Sequence, residues 1–180
     1  MTMTAPGQVR PFRAIPISGS LLMKTLYAVE PYSIHHGEVS EAIANAANQD
    51  PLFPDREDGC LRTAAILVAI AFCTSRFNTN LVGSNGKAFG LYQIKPPPKD
   101  VNGKIITTNM LTNARDASFI AIDLIRESMF ACADRPWEER LSCFGFLPTA
   151  GTDAVSIHHS MEQMLMADKI LTEYLLGDGK

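Results

Sequence analysis

Between residues 59 and 99 the chain contains neither aspartate nor glutamate. General acid–base catalysis by a carboxyl group would have to borrow that group from outside this stretch. Charge is sparse elsewhere too. Only 19% of residues are charged and the formal net charge is −3, which leaves no electrostatic case for nucleic acid or an anionic membrane surface. The four cysteines, Cys60, Cys73, Cys132 and Cys143, show no C-x-x-C spacing. A zinc ribbon and a dense secreted disulfide framework are thereby excluded, while a Cys132–Cys143 bridge stays compatible with the sequence. No apolar run reaches the roughly 18 residues of a membrane span. Residues 1–20 are polar and punctuated by Pro and Gly, without the pattern of a secretory leader, so synthesis in the cytoplasm is expected.

What the chain does have is apolar mass. With 180 residues, 46% of them hydrophobic, it is long enough for one domain that buries about 70% of its unfolded surface. That mass peaks between residues 64 and 73, where every residue is apolar. A helix apolar on all sides belongs inside a core, and the run is too short to cross a bilayer. Lacking Gly and Pro, residues 61–78 are predicted as a buried central helix that delivers polar groups (Thr74, Ser75, Arg76, Asn78) at its last turn.

Around it the chain is expected to be mainly α, with one small irregular or β lobe. Residues 1–18 read as an extended arm and 19–180 as the folded domain. Helices are predicted over 19–28, 36–47, 113–132 and 153–176, with a short one near Trp137. Asn113 is the expected N-cap of the third of these, and Gly177 the expected stop of the last. Residues 88–94 read as strand or loop pressed on the core, with Gly90 marking a close backbone approach. Ser84-Asn85-Gly86 reads as a tight turn, and the three prolines of 96–98 exclude helix.

Two short motifs, Thr74-Ser75-Arg76-Phe77-Asn78 and Gly90-Leu91-Tyr92-Gln93-Ile94, together resemble the goose-type lysozyme and lytic transglycosylase family. There a buried helix ends in Glu-Ser-x-Phe-Asn, and Gly-Leu-x-Gln-Ile follows in the same order. The resemblance covers residues 52 to 180. It implies a two-lobed lysozyme-like fold, a groove for peptidoglycan glycan strands and no cofactor. By analogy with signal-less members it implies carriage in a phage tail or similar particle, with other particle proteins as partners.

The departure lies at the residue that matters most. The family's catalytic glutamate falls on Thr74, whose hydroxyl is too weak an acid to protonate a leaving oxygen. The family's Ala-Tyr-Asn-Ala-Gly is replaced by Ser142-Cys143-Phe144-Gly145-Phe146, so Phe144 holds a ring position without its hydroxyl. A catalytically degenerate, glycan-binding or structural module is therefore expected. An active muramidase or lytic transglycosylase with its acid supplied from elsewhere is the alternative.

Each candidate has a plainer reading beside it. Thr74 is a relic site bordering a groove, or a helix-terminal threonine bonded to the carbonyl four residues back. With Ser75, Tyr92 and Gln93 are substrate-binding candidates through hydrogen bonds and stacking, or simply hold the lobe to the core. Glu57, Asp58 and Asp100 are the nearest carboxylates in sequence, or solvated loop acids. Cys73 with His158 or His159 is a nucleophile and base, or a small core residue. The pairs His35-His36 and His158-His159 lack the i, i+4 spacing of metal ligands, so no metal is expected. Met161, Met164 and Met166 read as core filler.

Overall fold

The computed structural model describes residues 14–83, 86–96, 103, 105–143 and 154–177. It is mainly helical: α1 (Gly19–Val29), α2 (His36–Gln49), α3 (Gly59–Ser75), α4 (Thr108–Thr112), α5 (Ala114–Ala131) and α6 (Ala154–Ile170), with a 3-10 turn over Trp137–Glu139. The antiparallel pair β1 (Val82–Gly83) and β2 (Ala88–Phe89) forms the small β lobe, in register Val82 with Phe89 and Gly83 with Ala88. Among the described residues no helix is long and apolar enough to cross a membrane. The Ser84-Asn85 part of the predicted turn, Asp100, Phe144 and residues 1–13 of the predicted arm lie outside the described residues.

Helix α3 is the hub, as its composition demands. Every residue from 64 to 71 is buried, and the helix packs against α2, α5 and α6 at once. Over those eight residues there is no polar stripe and no face for water. At its entry Thr63 is buried yet satisfied, because its Oγ1 donates to the Gly59 carbonyl at 2.7 Å and accepts from the Leu52 amide at 2.9 Å. The preceding loop is thereby tied to the hub.

Its exit is more demanding. Arg76 caps the helix in the left-handed region (φ 52°), its N–H reaching the Ala71 and Phe72 carbonyls, and Phe77 follows at φ 64°. Phe77 is fully buried, packed between Phe72 and His36 with ring centroids 6.0 and 6.1 Å away. Apolar burial of that ring, about 2–3 kcal/mol, offsets the roughly 1–3 kcal/mol that each strained non-glycine backbone costs.

The β lobe is held down by close backbone contact. Phe89 and Ile94 pair in a bridge around Gly90, which sits at φ 71° with a Cβ direction only 1.7 Å from the Leu111 carbonyl oxygen on α4. That is the close approach expected of Gly90. The short helix α4 lies where no helix was predicted. It forms because Thr107 caps it, accepting from the Met110 amide, and Leu111 is buried beneath Gly90.

Asn113 caps α5 by accepting from the Asp116 amide at 3.0 Å. Past α5, Cys132 and Cys143 form a disulfide with Cα atoms 5.8 Å apart. It closes a loop of 11 residues, a constraint of about 3 kcal/mol on the unfolded chain in the loop-entropy account. The last predicted helix is real but changes pitch: α6 gives way to a π turn over Leu171–Leu175.

Candidate functional site

A cleft of about 540 Å3 opens where the tip of α3 faces α6. Thr74 and Gln93 both border it, so the two motif residues separated by the β lobe do meet at one open site. Helix α6 supplies His159, Glu162, Gln163 and Met166, which at i, i+3, i+4 and i+7 share one face of that helix. Phe72, Cys73 and Arg76 complete the lining.

Thr74 and Ser75 sit side by side on a shared acceptor. Thr74 Oγ1 lies 2.7 Å from the Ile70 carbonyl and 3.1 Å from that of Leu91. Ser75 Oγ lies 3.0 Å from the Ala71 carbonyl and 2.7 Å from that of Leu91. Each hydroxyl has one proton, and the shorter contacts direct the Thr74 proton back along its helix and the Ser75 proton across to Leu91. The plain reading of Thr74 and its place on the cleft are thus true together. Ser75, 5% exposed, fastens the β lobe to the hub and offers little to a ligand.

Gln93 also serves the lobe. It is 6% exposed at φ 50°, and its Nε2 donates to the Leu81 and Gly90 carbonyls at 2.9 Å each. Both amide protons are spent inside the protein, though the side chain still borders the cleft. All three non-glycine residues at positive φ among those described (Arg76, Phe77 and Gln93) lie at or beside this site. Strain concentrated in that way points to function rather than to packing alone.

Tyr92 is a correction. Its side chain is fully buried and its hydroxyl meets Ser118 Oγ at 2.8 Å, so no ring face is open for a sugar. Burial holds its pKa well above the usual phenol value, with the Ser118 contact pulling weakly the other way. The reason is the tight turn over residues 90–93, which packs Leu91, Tyr92 and Ile94 into the core together and leaves only the Gln93 side chain at the cleft edge. Because Ser118 already donates to the Ala114 carbonyl at 2.8 Å, Tyr92 is the donor between the two hydroxyls. Tyr92→Phe should therefore cost about 1 kcal/mol in urea unfolding and leave cleft binding unchanged. Weaker ligand binding would place Tyr92 in the site after all.

Of the carboxylates nearest in sequence, Glu57 and Asp58 are also misplaced. Asp58 stands just before α3, about 24 Å from Thr74 at roughly 1.5 Å per residue. It pairs with Arg56 and Arg62 at 2.9 and 2.6 Å. The hydrogen bond from Arg56 leads in holding its carboxyl below the usual range, the reverse of what an acid catalyst needs. Glu57 shares that distant end. The carboxylate that does reach the cleft is Glu162, which periodicity alone did not single out. Its signal was the polar face 159–162–163 on a helix that must pack against a wholly apolar partner.

Cys73, His159 and Glu162 also line the cleft together. Cys73 is exposed and free. Desolvation leads in pushing its thiol pKa up, the Glu162 charge adds to it, and Arg76 offsets part. A thiol held in its neutral form is a poor nucleophile, so geometry assembles the set while electrostatics disarms it. His158 and His159 both set a ring nitrogen against Glu162, at 3.4 and 3.5 Å, and no group of three metal-ligating side chains forms among the described residues. Of the methionines read as filler, Met164 is core (1% exposed), Met161 is 39% exposed, and Met166 lines the cleft. No protein family, curated protein or solved structure matches the chain.

Proposed function

We propose that this chain is a lysozyme-like module, catalytically degenerate, that engages peptidoglycan as a glycan-binding or structural component of a phage tail or similar particle. The observation that carries this reading is the open cleft at the tip of α3, bordered by Thr74 and Gln93. A core helix has no need to end in strained backbone beside an open groove, and the groove holds a threonine where an acid would do the work. The Thr74 proton is committed to a carbonyl, so the residue has neither the acidity nor the freedom for proton transfer.

A second reading has its own observation. Glu162 stands on the opposite wall of the same cleft and supplies a carboxylate that α3 lacks. In that reading the acid has moved from one helix to its neighbour, and the chain cleaves glycan strands.

The two separate cleanly by experiment. Purified protein should sediment with insoluble peptidoglycan while releasing no soluble fragments and causing no turbidity loss above buffer. Clearing that disappears in Glu162→Gln would replace the first reading with the second. Absence of both binding and clearing would remove peptidoglycan from the account.

A further inference from the structure

The two walls of the cleft are unequal in hydrogen-bonding capacity. On the α3 side, Thr74 has committed its proton to Ile70, and Gln93 both of its amide protons to Leu81 and Gly90. The Arg76 guanidinium lies 4.2 Å over the Phe72 ring and 3.4 Å from Glu30. On the α6 side acceptors are in surplus. Gln163 is 3% exposed, and its Oε1 has no hydrogen-bond partner among the described residues. Among the described residues its neighbour Glu162 is met by the two imidazoles at 3.4 and 3.5 Å.

A buried carbonyl oxygen without a donor destabilises the folded chain, and one set in the wall of a cleft is most simply satisfied by what enters it. The terminal torsion of glutamine is broad, so a small rotation presents Oε1 to the cleft. The entering group must bring a donor to this oxygen, because a carbonyl can only accept. It must tolerate or welcome the Glu162 charge, which favours a cation over an anion on the α6 side, across the cleft from Arg76. A sugar hydroxyl brings one donor and asks for one in return. A primary ammonium group brings three donors, asks for none, and carries the complementary charge.

We propose that the α6 side of the cleft is a subsite for a primary ammonium group on a short peptide, held by the Glu162 carboxylate and Gln163 Oε1 beside Met166. The choice of a peptide as bearer rests on the peptidoglycan reading, since that polymer carries free amines on its peptide stems. The ammonium would take the place that the imidazoles of His158 and His159 hold against Glu162. The polymer is thus gripped by its peptide, with the glycan strand outside this subsite.

The test is calorimetric titration of wild type, Glu162→Gln and Gln163→Leu with three probes: the tripeptide Ala-Glu-Lys, the same peptide acetylated on both amines, and chitotetraose. The free-amine peptide should saturate the wild type. The acetylated peptide, and the free peptide on either variant, should bind about tenfold more weakly or worse, the scale of one lost charge-assisted hydrogen bond. Gln163→Leu should also melt a few degrees higher than the wild type (roughly 2–5 °C), because it removes an unpaired buried oxygen. A merely structural glutamine would lower the melting point instead. Equal affinity for free and acetylated peptides, or no saturable peptide binding, overturns the subsite. If chitotetraose still binds, the glycan reading outlives it; if neither binds, both fall.

Discussion

Gly90→Ala is expected to destabilise the protein by about 3–5 kcal/mol, near the limit a domain of this size survives. Two costs add. At φ 71° an alanine pays roughly 1 kcal/mol for the left-handed region. Its methyl would also sit 1.7 Å from the Leu111 carbonyl oxygen, a backbone atom of α4 that no rotamer change can move. Leu111 itself is 1% exposed, so α4 cannot shift outward without opening the core. The loss should reach the cleft as well. The turn at Gly90 delivers the Leu91 carbonyl to Ser75 and the Gly90 carbonyl to Gln93. Chemical denaturation checks the first expectation and peptidoglycan sedimentation the second. A variant less than about 1 kcal/mol weaker than the wild type would mean that α4 is not fixed against the lobe.

On the degenerate lysozyme-like reading proposed above, Thr74→Glu should produce a weak peptidoglycan-cleaving activity that the wild type lacks. A positioned general acid contributes about 10²–10⁴-fold, so turbidity loss should rise from the buffer level to a clear signal. The substitution is cheap. Thr74 forfeits its contact with the Ile70 carbonyl, Ser75 keeps the shorter hold on Leu91, and glutamate suits a helix better than threonine does. Three causes raise the new carboxyl's pKa: partial burial, the like charge of Glu162 in the same cleft, and the negative end of α3. The protonated form acts, so activity should be present at low pH and fall as pH rises through that raised value. A folded Thr74→Glu variant that stays inert across the pH range would show that the rest of the site does not support cleavage.

Much of the fold was legible because its signals are local or periodic. The apolar run of α3, the Asn113 cap and Gly90's close approach all came from residue chemistry that tertiary contacts reinforce rather than oppose. Helix α4 escaped because its five residues carry too little periodicity to register, and packing under Gly90 decides it. The candidate site was half legible. Thr74 and Gln93 were found through their spacing in the chain, whereas Glu162, Gln163 and Met166 reach the cleft from 69 to 92 positions further along it. Only the packing of α6 on α3 brings them there. Tyr92 was misjudged because a tyrosine in a motif reads as a ligand contact until its neighbour Ser118 is seen to hold its hydroxyl.

The doubled contact at the Leu91 carbonyl bears on how this chain can change over generations. Codons for threonine and glutamate are not single-step neighbours, so a change from threonine to an acid at position 74 must pass through an intermediate such as alanine. Ordinarily that intermediate would abandon the tie between hub and lobe. Here Ser75 already carries the closer hold on Leu91, and an alanine at 74 leaves it in place. The passage is therefore open in both directions at little cost in stability, and relatives of this chain should include some that differ at position 74 while keeping serine at 75.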